Sequence, residues 1–227
     1  ATPTAWKTFP QSPLHSVLRT KGTAMIGIMA DSHGQPETIT AALGMLTDID
    51  CRPIYHLGDV CDSTHPETAE ACLGRLRDPR VIIIKGNNDQ ALVANHIGQA
   101  KPPVSPENLQ CLRNLPLVKY HLNAIFAHSL PFVRELGLAS MIGNLGDPEA
   151  HRVFKEFPDR VIFRGHGHSP EIVWLQGQKI TSRSISTGEK FELTAKIPCV
   201  VTCGALTRGF CMAWDPEENV IKCLSFR

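Results

Sequence analysis

Early in the chain, three apolar runs each end on a small polar block, and this repeated punctuation admits few folds. Residues 25–30 run into Asp31-Ser32-His33-Gly34. Residues 53–57 run into Gly58-Asp59-Val60-Cys61-Asp62, and residues 80–85 into Gly86-Asn87-Asn88-Asp89. Between the first two runs, Ile39, Ala42, Leu43, Leu46 and Ile49 recur at helical spacing. Ala69, Cys72, Leu73 and Leu76 do the same before the third. Alternating strands and helices predict an α/β sheet with parallel strands, and ligand sites in such sheets lie beyond the strands' C-terminal ends. Val81-Ile82-Ile83-Ile84 is apolar at every position, as expected of a strand buried on both faces.

The second half reads as richer in strands. Ser105-Pro106-Glu107 is an N-cap followed by Pro at the first helical position, predicting a helix to Asn114. Residues 118–122 and 123–127 read as two strands, the second leading to Ala127-His128-Ser129. Asp147-Pro148-Glu149 repeats the capping signature and predicts a helix to Phe157. Residues 160–164 form a strand that delivers Gly165-His166-Gly167-His168. Residues 171–176 and 179–186 are expected to pair across Gly177. Strands follow over 198–202, 210–215 and 220–226, the last two joined by a turn at 216–219. The apolar stretch 130–146 reads as two short core helices, with a lid or an oligomer contact as the alternative.

Together the five polar blocks offer the carboxylates of Asp31 and Asp59, the amide oxygen of Asn87, and the imidazoles of His33, His128, His166 and His168. Each has a bland reading alone. Asp31 could cap a helix, and Asp59 could sit in a simple turn. Asn87 suits a left-handed turn position, and His128 could be a core histidine. His166 and His168, two apart, would face one side of a strand. The whole set, in order, is a ligand set for two metal ions side by side, a device for hydrolysing phosphate esters.

The ordered blocks D-x-H, G-D-x-x-D, G-N-x-D, a later lone His and G-H-x-H resemble the calcineurin-like metallophosphoesterase superfamily, from about Met25 to the C-terminus. The short chain is most similar to its small bacterial and archaeal phosphodiesterase branch. The resemblance implies a four-layer αββα sandwich of two mixed sheets flanked by helices. It implies that Asp59 bridges two metals, with Asp31, His33 and His168 on the first and Asn87, His128 and His166 on the second. It implies two divalent transition-metal ions, Mn²⁺ first, with Fe or Zn²⁺ as alternatives for mixed imidazole and carboxylate donors. The implied activity is hydrolysis of phosphodiester or nucleotide-type phosphates by metal-activated water. Rivals are a phosphomonoesterase, a dinucleoside polyphosphate hydrolase, or a non-catalytic interaction module on the same fold. The module is disfavoured because every ligand position is filled.

Asn88 departs from the pattern, since many members carry His there, paired with an acid such as Asp89. Asn88 and Asp89 are therefore the candidate catalytic pair, although an amide can donate a hydrogen bond to phosphate but not a proton. Asp62 is expected to orient a ligand or to be a solvated turn carboxylate. Ser129 and Thr202-Cys203-Gly204-Ala205 also depart, in places that bear on substrate contacts. His15, His56, His65, His96, His121 and His151 match no motif position and read as structural or solvent-facing.

The resemblance implies a small phosphate-ester substrate as the partner, and composition argues against nucleic acid and membrane. A formal net charge of +1 and the lack of a Lys/Arg run argue against nucleic acid. No apolar stretch approaches the ~20 residues that span a membrane. Eight cysteines without a C-x-x-C pair read as reduced, buried thiols in a cytoplasmic protein. Residues 1–24, with no acidic residue and no motif, read as an N-terminal extension to one domain over 25–227. Self-association is left open.

Overall fold

The computed structural model describes residues 24–226, and its first half carries the expected alternation. It comprises β1 (Ile26–Met29), α1 (Pro36–Asp48), β2 (Ile54–His56), α2 (Ala69–Arg75), β3 (Val81–Ile83), α3 (Asn87–His96) and α4 (Pro106–Asn114). Next come β4 (Val118–His121), β5 (Ala124–Ala127), α5 (Val133–Leu136), α6 (Asp147–Glu156) and β6 (Val161–Arg164). The remainder is β7 (Glu171–Gln176), β8 (Lys179–Ser184), β9 (Lys190–Glu192), β10 (Cys199–Thr202), β11 (Phe210–Asp215) and β12 (Val220–Ser225). The expected extension, Ala24 apart, lies outside the described residues.

These strands form two six-stranded mixed sheets, ordered β3-β2-β1-β11-β12-β9 and β4-β5-β6-β10-β7-β8. In the first, β1, β2 and β3 run parallel, and β11 returns antiparallel beside β1. In the second, β5, β6 and β10 run parallel. Strands with period-two side chains serve two cores at once. In β6, Val161 and Phe163 face the layer between the sheets, while Ile162 faces α6 with Ala150, Val153 and Phe154. In β11, Met212 and Trp214 face inward, while Cys211 and Ala213 meet the helical layer that includes Leu46, Leu73 and Leu112. Helix layer, sheet, sheet, helix layer is the αββα sandwich. Between the sheets, Tyr55 of one stacks on Phe126 of the other with centroids 3.8 Å apart. Trp214 lies 5.0 Å from Phe163.

Several expectations need adjustment. β3 is an edge strand and only partly buried: Ile82 faces the inner core, and Val81 and Ile83 face the helices. Its continuous apolar run reflects two apolar faces, not full enclosure. The helix expected over 66–76 begins as a 3-10 turn, Pro66–Thr68, before α2. α6 is capped by Gly146, whose N–H reaches the Glu149 carboxylate, rather than by Asp147. Two short helices do occupy 130–146, but Leu136, Leu138 and Ile142 are exposed, so they are not wholly core. α3 and β9 had no counterpart in the sequence reading. All eight cysteines are unpaired, and all but Cys111 are buried. Among the described residues, no helix is long and apolar enough to cross a membrane.

The inter-sheet aromatic stack joins Tyr55, Phe126, Phe163 and Trp214 through successive ring contacts. Phe126→Ala should cost about 3–5 kcal/mol, the range for deleting a buried aromatic side chain. Urea unfolding should show a lower midpoint with an unchanged slope.

Candidate metal centre

The parallel strands of both sheets end along one edge, and their following loops are laced together by backbone hydrogen bonds. Asp31 N–H donates to Gly58 O, and His33 N–H to Asp59 O, each at 3.0 Å. Gly165 N–H donates to His128 O at 3.0 Å. The sheets are joined where Leu206 N–H donates to Ala30 O at 2.8 Å and His166 N–H donates to the Asp31 carboxylate at 3.0 Å. Gly58 and Gly86 let two loops touch. A Cβ on Gly58, where φ is +93°, would lie 2.5 Å from Gly86 N, and one on Gly86 would overlap the Asp59 backbone.

The seven predicted ligand residues meet at this edge. Asp31, His33 and His168 form one group. His33 Nε2 and His168 Nε2 are 3.1 Å apart, and Asp31 Oδ1 lies 3.9 and 3.6 Å from them. Asp31, Asp59 and His128 form a second group. Asp59 faces both: its Oδ2 is 3.8 Å from His33 Nε2, and its Oδ1 is 3.5 Å from His128 Nε2. Asn87 Oδ1 is 3.0 Å from His128 Nε2, and the His166 ring lies 5.1 Å from the His128 ring.

The chemistry of these donors fits cations. His128 Nδ1 lies 2.7 Å from the Leu57 carbonyl, which can only accept a hydrogen bond. Nδ1–H therefore donates to that carbonyl, which leaves Nε2 as the ring nitrogen that faces inward, available to a cation. There it meets the oxygens of Asn87 and Asp59. Lone pairs converging in a buried place call for positive charge between them.

Five of the seven have left-handed backbones: Asp31 (φ 58°), His33 (42°), Asp59 (53°), His166 (61°) and His168 (59°). Such a conformation costs an L-residue roughly 1–2 kcal/mol. His166 and His168 thus sit in a coiled loop, not side by side on a strand, and the loop curls their rings toward opposite groups. Asn87 is the first residue of α3 rather than a left-handed turn residue.

Electrostatics follow the crowding. Burial raises the Asp31 carboxyl, but the His168 hydrogen bond and the charges of His128, His168 and His33 outweigh it and hold it below the ordinary value. The Asp31 hydrogen bond raises His168, against burial and the nearby Arg208 charge. Burial lowers His166, helped by the charges of His128 and Arg164.

The neighbours expected to act on substrate or ligands are engaged differently. Asn88 N–H donates to Asp59 Oδ1, and its Nδ2 donates to Asp59 Oδ2, both at 2.8 Å. Its Oδ1 accepts from Ser63 Oγ at 3.0 Å. Asn88 therefore orients the Asp59 carboxylate. Asp89 is fully buried and accepts from Cys61 N and Gly86 N at 3.0 and 2.9 Å, clamping two ligand loops. Burial first, then Asp59, raise its carboxyl. Asp62 holds its own turn, accepting from Thr64 N–H and Oγ1 and pairing with His65 at 3.0 Å.

His56 and Arg164 support the site without any signal in the sequence, and Ser129, expected to bear on substrate contacts, is a buried support instead. Buried His56, pushed down to about 3 by burial, lies 3.1 Å from Ser32 Oγ behind the site. Buried Arg164 donates to Ser129 Oγ at 3.0 Å. Ser129 Oγ donates to Gly143 O, tying the 130–146 segment to the His128 loop.

Residues 25–202 match the family model of the calcineurin-like phosphoesterase superfamily domain. A metallophosphoesterase from Sphaerobacter thermophilus superposes with a TM-score of 0.70 at 19% identity, over 91% of this chain and 89% of that one. A hypothetical protein from Pyrococcus horikoshii superposes with a TM-score of 0.59 at 12% identity, over 89% and 88%. At these identities the likeness speaks for the fold. A comparison with curated proteins finds no match.

Asp89→Ala should strand two buried N–H donors, costing about 2–6 kcal/mol at roughly 1–3 per group. Calorimetry should show a melting temperature lower by roughly 4–24 °C, at about 2–4 °C per kcal/mol for a chain of this size. The Asp62–His65 pair makes a pH-dependent claim. Burial raises Asp62, but the hydrogen bonds from Thr64 and His65 together outweigh it and bring it to about 2, and Asp62 raises His65. The Asp62 contribution is complete above about pH 4 and lost as pH falls toward 2, whereas that of His65 is complete below about pH 6.5 and lost as pH rises. In Asp62→Asn, NMR titration should show His65 returning down toward its ordinary value.

Proposed function

The chain belongs to the calcineurin-like phosphoesterase superfamily, and we propose that it is a dinuclear metal-dependent hydrolase of phosphodiester or nucleotide-type phosphates. The observation that carries this reading is the Asp59 carboxylate, with one oxygen 3.8 Å from His33 and the other 3.5 Å from His128. An anionic bridge is what two cations held close together require. Asp31, His33, Asp59 and His168 would hold one ion, and Asp59, Asn87, His128 and His166 the other. When bound, the two ions supply charge neutralisation at phosphate and a water of lowered pKa. Mixed nitrogen and oxygen donors suit Mn²⁺ first, then Fe or Zn²⁺.

The chain's own residues do the positioning. Leu57 O fixes the His128 tautomer, so that Nε2 faces the site. Asn88 holds both Asp59 oxygens, which keeps the bridge from rotating. His33 and His168 are partly exposed while Asp31 and Asp59 are buried, so substrate approaches from the imidazole side. Such preorganised groups stabilise developing charge without rearranging during the reaction.

Elemental analysis after loading should find two Mn²⁺ per chain. The loaded protein should turn over bis(4-nitrophenyl) phosphate. Asp59→Asn should lose one or both ions and lower kcat/KM by at least about 100-fold, beyond the range for outer supports of a metal site. Two bound ions without turnover would leave a metal-binding module in place of an enzyme. Near wild-type turnover in Asp59→Asn would remove Asp59 from the bridge.

A further inference from the structure

Two groups at the rim of the site have no task in the reading above. Arg208 ends the 3-10 turn Leu206–Arg208, which follows β10. That turn is fastened to the site, with Leu206 N–H on Ala30 O at 2.8 Å and Thr207 N–H on Asp31 O at 3.3 Å. Arg208 is exposed, and its Nη1 donates to Ser169 Oγ at 2.9 Å. Ser169 is exposed too and directly follows His168. Arg52, Arg80, Arg152, Arg160 and Arg183 each sit on a carboxylate. Among the described residues, no carboxylate is paired with Arg208. A guanidinium held by a hydroxyl keeps N–H donors free for a phosphate, which it can bind in bidentate fashion.

A second observation concerns the leaving group. Asn88 cannot give up a proton, and its amide is engaged at both ends, by Asp59 and by Ser63. An alkoxide leaving group without a general acid forfeits ~10²–10⁴-fold in rate. A phosphate leaving group is far less basic, with a second pKa near 6. It can depart unprotonated, and it carries the negative charge that Arg208 would receive.

We propose that the substrate is a phosphoanhydride of the nucleoside diphosphate type, and that Arg208 with Ser169 receives the departing phosphate. This rests on the phosphoesterase reading above and narrows its substrate class. In the reaction, the oxygen of water bonds to one phosphorus. The bridging P–O bond breaks, and its electron pair stays on the departing phosphate. The protons of water pass to solvent or to the product phosphates. Two phosphates result, and the N–H groups of Arg208 and the hydroxyl of Ser169 hold the oxygens of the one that leaves.

The test uses the full chain loaded with Mn²⁺, with ADP and bis(4-nitrophenyl) phosphate as substrates. Binding of methylenediphosphonate, followed by calorimetry, gives a readout independent of turnover. Arg208→Ala should lower kcat/KM for ADP by roughly 10- to 100-fold, the size of one charge-assisted contact. It should weaken methylenediphosphonate by a similar factor, with a loss on the aryl diester at least fivefold smaller. Arg208→Lys should recover part of the ADP rate by restoring the charge. Equal losses on both substrates, with the fold intact by circular dichroism, would overturn the proposal. Wild-type cleavage of the diester but not of ADP would overturn it while leaving the phosphoesterase reading standing. Cleavage of neither, with two ions bound, would remove both.

Discussion

Two carboxylates, Asp31 and Asp59, are buried near one another where both sheets end, with relative exposures of 0% and 2%. Like charges so placed repel and lose hydration, and neither effect is tolerable without compensation. Every nearby feature supplies some of that compensation. His166 N–H binds Asp31, and Asn88 donates to each oxygen of Asp59. Imidazoles of His33, His128 and His168 stand within 3.9 Å of one carboxylate or both. Two cations would complete the balance, and the scaffold is organised as if around them.

The architecture explains why the balance can be struck at this edge. β1, β2 and β3 end here from one sheet, and β5, β6 and β10 from the other. Their loops are cross-bonded through the backbone, so a residue displaced from one loop would break bonds to another. Left-handed backbone at five candidate ligand residues is the cost of turning side chains inward immediately after a strand. Asp, Asn and His tolerate that region better than most residue types, and cross-loop hydrogen bonds hold them there. Strain maintained by its surroundings and gathered in one place marks a functional site.

The start of α3 concentrates several tasks in three residues. Asn87 presents an oxygen to His128, Asn88 orients Asp59, and Asp89 caps the helix while clamping the loop at Cys61. A helix N-terminus also favours negative charge beside it, which suits Asp59. The departure at Asn88 thus changes more than a proton donor. It places a neutral, doubly anchored amide against the Asp59 carboxylate.

The sequence alone determined the strand-and-helix alternation, the polar blocks that end the strands, and the identity of the residues that meet. Strand burial on two faces leaves continuous apolar runs, and helices leave period-3.6 stripes, so both are legible in one dimension. Boundaries such as that of α2 were blurred because a 3-10 turn and an α-helix share the same start signals. Only the tertiary structure decided how each residue is used. The Asn88 side chain could face phosphate or Asp59, and the nearness of the two loops at Gly58 and Gly86 selects Asp59. Asp62 and Asp89 look interchangeable in the sequence. One is at the surface in its own turn, and the other is buried as a clamp, because α3 begins where it does. Arg208 and Ser169 lie 39 residues apart and carry no local pattern. They become neighbours only when β10 pairs with β6, since pairing between distant strands is a property of the packed sheet and not of any short stretch of chain.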